Sequence, residues 1–153
     1  MSRKPNNKNQ TRSTRKKRDL RRGKLTFKST LETYCYDCLK SAKLDFEYEP
    51  ESFNLVESFR YPGVYHKSTR GKDATNKVVL SMKYTPDFVS HKHKFIIETK
   101  GFVPSQHTFP IRWKMFLKYL VDNDMEDYML FIPKNKRQVE DTVNIIQDNL
   151  YDT

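Results

Sequence analysis

The sequence predicts an α/β fold, a mixed α+β sheet flanked by helices, with its elements in the order α-β-β-β-α-β-α. Three segments carry apolar residues at helical spacing, and the short runs between them alternate or are wholly apolar, as strands are. Ten Phe and nine Tyr supply large side chains for a core. Helices that alternate with strands in this way pack on the faces of one sheet.

The first helix is predicted over residues 29–43. Its apolar positions at helical spacing are Leu31, Cys35, Cys38, Leu39 and Ala42. Ser29 followed by Glu32 fits a capping box at the start of this helix. Strand-like segments follow at 45–49 and 52–56, on either side of a proline.

Residues 58–77 are rich in turn formers and charges, which predicts a long loop or a hairpin extension. The segments 78–88 and 94–100 are predicted as strands joined by a tight turn near 90–93. The run at 128–132 is wholly apolar and stops before a proline, which is typical of a strand buried on both faces.

Two further helices are predicted in the C-terminal third. The second helix has Pro110 in its first turn and an apolar stripe made by Trp113, Phe116, Leu117, Leu120 and Val121. The closing helix has Asn135 and Gln138 at cap spacing and a stripe made by Val139, Val143, Ile146 and Leu150.

Basic residues are concentrated at the N-terminus. Residues 1–24 carry eleven Lys and Arg against one acid, whereas residues 25–153 carry eighteen of each sign. The first segment has one Leu and no aromatic residue, so we expect a disordered basic arm, 1–24, followed by one folded domain, 25–153. Such an arm suits the phosphate backbone of nucleic acids, and a solubility tail or localisation signal has the same composition. The arm residues expected to contact nucleic acid are Arg12, Arg15, Lys16, Lys17, Arg18, Arg21 and Arg22.

Composition argues against several classes of protein. No run approaches the ~18 apolar residues of a spanning helix, so no membrane partner is expected. The basic N-terminus lacks the apolar core of a secretory signal. Two cysteines argue against a disulfide framework and for a reducing, cytoplasmic compartment. Cys35 and Cys38 fall inside a predicted helix, where we expect core residues rather than a metal site, and His91 and His93 fall in a distant turn.

The segment between Tyr84 and Lys100 carries the clearest chemical signal. Glu98 and Lys100 are two apart on a predicted strand and share a face, and a tight turn would bring Asp87 beside Glu98. Adjacent carboxylates raise each other's pKa unless a cation lies between them, and Mg²⁺ favours such a site. The cation would polarise a scissile phosphate while Lys100 holds water or neutralises charge. From the residue types alone, the alternative to a metal site is a row of ion pairs on the surface of a hairpin, without a catalytic role.

Pro86-Asp87, a spacer and Glu98-Thr99-Lys100 together resemble the PD-(D/E)xK nuclease signature. The likeness extends over residues 27–101, where four blocks stand in the order seen in the bacteriophage endonuclease I family. The blocks are FKSTLE at 27–32, FEYE at 46–49, YTPDF at 84–88 and ETKG at 98–101. The resemblance implies a restriction-endonuclease-like core, a homodimer and Mg²⁺-dependent resolution of four-way (Holliday) DNA junctions. The longer tail and the 58–77 segment depart from the family pattern. A less specialised nuclease of this superfamily therefore remains an alternative interpretation.

The resemblance also implies roles for individual residues. Asp87 would be the central metal ligand and Glu98 the second, with the Thr99 backbone carbonyl beside them. Lys100 would be the catalytic lysine. Glu32 would complete the acidic cluster, although its capping-box position offers a structural explanation as well. Mn²⁺ would substitute for Mg²⁺, no small-molecule cofactor is implied, and a phage-encoded enzyme would work in the host cytoplasm.

Arg112 and Lys114, on the helix after the motif, are the remaining candidates for DNA contact, with a solvated helix face as the alternative. Taken together, these features predict a Mg²⁺-dependent DNA endonuclease selective for branched junctions. A nuclease of the same fold acting on linear duplex or flap DNA is one alternative. A non-catalytic nucleic-acid-binding protein that uses the basic arm is the other.

Overall fold

The computed structural model describes residues 19–65, 74–101 and 108–151. This part of the chain mixes α and β structure, and its three helices lie where the sequence predicts them. They are α1 (Thr30–Ser41), α2 (Phe109–Asp122) and α3 (Lys136–Tyr151). Pro110 lies in the first turn of α2, where its missing N–H costs no hydrogen bond. Within these ranges no helix is long and apolar enough to cross a bilayer.

Both predicted caps are present at the starts of α1 and α3. The Ser29 hydroxyl accepts the Glu32 N–H at 3.1 Å, and the Asn135 side chain accepts the Gln138 N–H at 3.0 Å. In each helix the returning side chain, Glu32 or Gln138, accepts the N–H of the residue before the cap, at 2.9 Å and 2.7 Å. The sequence rule therefore predicts the helix starts correctly, with the return bond moved by one residue.

Ten strands are described. They are β1 (Arg21–Arg22), β2 (Leu25–Thr26), β3 (Glu47–Tyr48), β4 (Phe53–Val56), β5 (Phe59–Tyr65), β6 (Ala74–Val79), β7 (Met82–Tyr84), β8 (Phe88–Ser90), β9 (Phe95–Ile97) and β10 (Met129–Phe131). The central sheet has the order β10-β9-β8-β3. β9 and β10 are parallel and the other pairs antiparallel, so the sheet is mixed, as predicted.

The central sheet separates two apolar clusters. Alternate residues of β9 point to opposite faces, so Phe95 and Ile97 join one cluster and Ile96 the other. The first cluster is completed by α1 and α3 and the second by α2, including Phe116. Trp113 packs against this second cluster, in agreement with its predicted core role. The segment that carries Glu98 is therefore fixed by packing on both faces.

The prediction of one strand over 78–88 is wrong. The chain pairs as β6, breaks at Leu80, pairs again as β7, and joins the central sheet only as β8. Pro86 lacks an N–H and restricts the residue before it, so the ladder cannot continue from β7 into β8. The predicted strand at 94–100 is shorter as well and ends at Ile97.

The prediction that 128–132 is buried on both faces is also wrong. Its strand, β10, is half-buried because it lies at the edge of the sheet, where one side has no neighbouring strand in the described structure. An apolar composition indicates contact with the core but does not distinguish a central strand from an edge strand.

Of the two alternatives for 58–77, the hairpin is confirmed for the described residues. β4 pairs with β7, and the next strands outward, β5 and β6, pair with each other. We call the β5–β6 pair the ribbon. Residues 66–73 lie outside the described residues.

Residues 19–24, which the sequence assigns to the disordered arm, belong to the folded part. β1 and β2 form a small hairpin with Gly23 at φ 58° in its turn. The Arg22 guanidinium binds both oxygens of Asp37 at 2.8 Å and 2.6 Å. Bidentate pairing to α1 thus orders this segment. Residues 1–18 lie outside the described residues, so their disorder stays a prediction.

Candidate active site

Strand register places two carboxylates side by side. β8 and β9 are antiparallel with Phe88 opposite Ile97, so Asp87 and Glu98 occupy the next pair outward. Both are buried, with exposed fractions of 8% and 5%. The predicted adjacency of these residues is therefore confirmed, although Asp87 precedes a strand instead of ending one.

Asp87 is held by Thr99. The backbone N–H and the hydroxyl of Thr99 both donate to Asp87 Oδ2, each at 2.7 Å. Burial, then the charge of Glu98, raises the pKa of Asp87 to about 7, and the two Thr99 bonds oppose this rise. Without a bound cation, this carboxyl is therefore only partly ionised near neutral pH. Oδ1 accepts no hydrogen bond from the residues that the structure describes.

Glu98 is held at both oxygens. The Lys100 ammonium lies 2.6 Å from Oε1, and the buried Tyr84 hydroxyl donates to Oε2 at 2.7 Å. Burial and the Glu98 charge raise the pKa of Tyr84, so this hydroxyl remains a donor. Beyond β9, the N–H groups of residues 98 and 100 donate to the carbonyls of Phe131 and Pro133. This alternation confirms that Glu98 and Lys100 share a face.

Lys100 also contacts the start of α2. Its ammonium lies 4.1 Å from the centre of the Phe109 ring, a cation–π distance. One helical turn later, Arg112 lines the same cleft. The first turn of α2 therefore brings an aromatic face and a second cation beside the catalytic-lysine candidate.

Glu32 completes the back of the site from α1. Its Oε2 accepts the Lys28 N–H at 2.9 Å and the Tyr48 hydroxyl at 2.7 Å. Oε1 accepts no hydrogen bond within the described ranges. Its charge contributes to the raised pKa of Asp87, so the two acids lie within electrostatic reach. The capping role is thus observed, and the ligand role stays a prediction.

These side chains line one cleft of about 810 Å³. Its charged lining residues are the acids Glu32, Glu49, Asp87 and Glu98 and the bases Lys28, Lys83, Lys100 and Arg112. Lys28 and Glu49 form an ion pair at the rim. Glu49 has a φ of 44° and donates its N–H to the Asp87 carbonyl at 2.8 Å, which ties this strained residue to the site.

The donor set fits a hard divalent cation held by two carboxylates. Mg²⁺ typically takes one or two carboxylates together with water and substrate oxygens. Asp87 offers an oxygen that accepts no hydrogen bond from a described residue, and the repulsion between Asp87 and Glu98 would be relieved by a cation. Among the described residues, no three His, Cys, Asp or Glu side chains form a group able to hold a metal. The cation would therefore be held by Asp87 and Glu98, and Glu32 does not form a third ligand with them in this geometry.

Of the other predicted residues, those that the structure describes do not line the cleft. Lys114 is exposed on α2 but is not among the residues that line it. Arg22 is engaged with Asp37, and Arg21 lies on the same hairpin. The other predicted arm residues lie outside the described residues, namely Arg12, Arg15, Lys16, Lys17 and Arg18.

In the described part of the chain, Cys35 and Cys38 form no metal-binding group with His91 or His93. Cys35 is buried in the core, and burial raises the pKa of its thiol, as expected for an inert core cysteine. His91 instead contacts Tyr128 and Glu51 at 2.8 Å and 2.7 Å.

Two tyrosines that sequence reasoning leaves without a role orient the acids. Tyr84 holds Glu98 and Tyr48 holds Glu32. The sequence signal that could have indicated these roles is a tyrosine close to an acid on a short strand. Tyr48 has this setting in FEYE, and Tyr84 has it in YTPDF. Phe109 and Lys83 lacked a comparable signal, because their positions depend on how α2 and β7 pack.

Neither a protein-family model, nor a curated protein, nor a solved structure matches this chain. Function is therefore inferred from the geometry and chemistry of the site.

Proposed function

We propose that this chain is a metal-dependent DNA endonuclease with a core of the PD-(D/E)xK type. The observation that carries the proposal is the pairing of two buried carboxylates, Asp87 and Glu98, with an ammonium 2.6 Å from one of them. Burying such a group costs folding free energy that a structural ion pair on the surface would not. A buried acid with a raised pKa in a cleft, as Asp87 is, is typical of catalytic sites.

Asp87 and Glu98 would hold Mg²⁺ or Mn²⁺, and the bound cation would supply Lewis acidity toward a phosphodiester. Thr99 keeps Asp87 oriented through two donors, and Tyr84 does the same for Glu98. Lys100 lies beside Glu98 and presents its ammonium to the cleft, where it can orient a water or neutralise charge on the phosphate. The Phe109 ring limits the positions that this ammonium can take.

DNA is the proposed substrate because the cleft and the N-terminal segment both present cations. Arg112, Lys83 and Lys28 line the cleft around the acids and suit the phosphates on either side of the cut. The charge of residues 1–24 would add affinity without sequence preference. The family resemblance supports a branched, four-way junction as the preferred substrate and a homodimer that cuts two strands.

A non-catalytic nucleic-acid-binding protein is the second candidate. One observation favours it: both oxygens of Glu98 are already engaged, by Tyr84 and Lys100. A cation would have to displace the ammonium or share an oxygen with it. Binding without cleavage would then be the only activity.

The test compares the wild type with Asp87→Asn on a labelled four-way junction and on its linear duplex arm, each with Mg²⁺, Mn²⁺ or EDTA. Asparagine keeps the shape and the acceptor for Thr99 but removes the charge. Asp148→Asn, an exposed aspartate on α3, is the matched control. We expect metal-dependent cutting by the wild type and the control, and none above background by Asp87→Asn.

The outcomes separate the candidates. Cutting of the junction alone supports a junction resolvase, whereas equal cutting of both substrates supports a less selective nuclease. Binding without cutting in either metal refutes the enzyme and leaves the nucleic-acid-binding protein. Full activity in Asp87→Asn would refute the assignment of this site.

A further inference from the structure

The ribbon projects from one wall of the cleft. β4 and β7 form its base, and Lys83 and Tyr84 of β7 line the cleft itself. Beyond the base, no other described element packs extensively against β5 or β6. At about 3.3 Å per residue, the seven residues of β5 extend about 20 Å. An isolated two-stranded hairpin is only marginally stable in water, so a ligand would stabilise it.

The described ribbon and its base carry a net positive charge. Residues 53–65 and 74–84 contain three bases, Arg60, Lys77 and Lys83, against one acid, Glu57. Residues 25–153 as a whole are formally neutral, so this positive charge is local. A cationic strip that starts at the cleft favours a polyanion as the ligand.

Aromatic side chains accompany the charge. Register places Phe59 opposite Val79 and Tyr61 opposite Lys77, so these four residues share one face. Phe59 and Tyr61 are 49% and 44% exposed. On duplex DNA, cations and a tyrosine hydroxyl contact the phosphate backbone, and a phenylalanine ring can contact a thymine methyl group in the major groove.

The shape of the ribbon suits a groove. A two-stranded ribbon fits the major groove of DNA. The register shifts between Tyr61 and Val64, and Asn76 has a φ of 54°, as in a bulge that bends and twists a hairpin.

We propose that the ribbon is a DNA-contacting arm that lies against the duplex held in the cleft. This inference rests on the proposed function and adds the surface that positions the substrate. The exposed Val64 and Val78 could also be covered by a second copy of the chain. A two-fold pairing of ribbons would juxtapose like charges, so DNA is the occupant that the charges favour.

The experiment measures affinity of the full chain for a short duplex by fluorescence anisotropy in EDTA, over a series of salt concentrations. Arg60→Glu reverses a charge on the ribbon, and Arg137→Glu reverses an exposed charge on α3 as the control. We expect Arg60→Glu to bind about tenfold more weakly and the slope of log K against log salt to fall by about one. Arg137→Glu should match the wild type.

Phe59→Ser tests the aromatic face and the rival occupant, with sedimentation reporting the oligomeric state. A loss of duplex affinity at unchanged mass supports the proposal. A lower mass with unchanged affinity per protomer overturns it in favour of a second copy. Equal losses in Arg60→Glu and Arg137→Glu, or no loss in either, would also overturn it while leaving the nuclease intact. A wild type that binds no DNA would instead overturn the proposed function itself.

Discussion

Removing the charge of Asp87 should stabilise the metal-free protein at alkaline pH. The pKa of this carboxyl rises from its ordinary 3.8 to about 7 on folding. The folded state therefore holds the proton more tightly, so the unfolding free energy falls as pH rises between these values. One pKa unit corresponds to about 1.4 kcal/mol, so the unfolding free energy should fall by about 4 kcal/mol over this pH range. Screening by water in the cleft reduces this loss toward about 2 kcal/mol.

Asp87→Asn cannot ionise and keeps an oxygen for both Thr99 donors. We therefore expect the variant and the wild type to be similarly stable near pH 4 and the variant to be more stable by about 2–4 kcal/mol at pH 8. Urea unfolding in EDTA, followed by the fluorescence of the single tryptophan, Trp113, measures this difference. The tryptophan packs against the core, so it reports global unfolding.

Asp148→Asn, which removes one exposed acid on α3, is the control for the change in net charge. A stability difference between wild type and Asp87→Asn that is the same at pH 4 and pH 8 would refute the reasoning. Adding Mg²⁺ at pH 8 should then stabilise the wild type and leave Asp87→Asn unchanged, because a ligand stabilises only the state that binds it.

Three further predictions concern packing and capping. Tyr84→Phe removes the hydroxyl that donates to Glu98 and should lower the free energy of unfolding in urea by about 1–3 kcal/mol. It should also weaken Mn²⁺ binding, measured by calorimetry. Unchanged Mn²⁺ affinity would argue against a positioning role. Asn135→Ala should cost about 1 kcal/mol in the same unfolding assay by removing the cap of α3, whereas Asn135→Asp should cost much less. Ile96→Ala should cost about 2–5 kcal/mol, seen as a lower Tm, because its side chain is fully buried in the α2 cluster; a loss below 1 kcal/mol would show that the core collapses into the space.

Local signals explain why much of the site could be predicted. A tight turn between two apolar segments sets their register, and register alone brings Asp87 beside Glu98. The caps at Ser29 and Asn135 likewise depend on residues three apart. The helices follow from apolar spacing, which reports the face that each helix buries.

The features that sequence reasoning missed depend on distant contacts. Tyr84 reaches Glu98 only because the ladder breaks before Pro86 and β7 pairs with β4 instead of joining the central sheet. Arg22 is ordered by Asp37, fifteen residues away on α1, and composition cannot reveal such a pair. The edge position of β10 likewise depends on the order of strands in the sheet, which apolar content does not encode.

The position of β9 has a consequence for how this chain can accept mutations. Its three residues contribute to both clusters, and the next three carry the acid, the hydroxyl and the ammonium of the cleft. All six positions from 95 to 100 are therefore constrained. The first three must fill the volume that the core leaves, and the last three must keep their charge and hydrogen bonds. A distant relative would be recognised by this hexapeptide before any other part of its sequence, and a mutagenesis library would find fewest substitutions there.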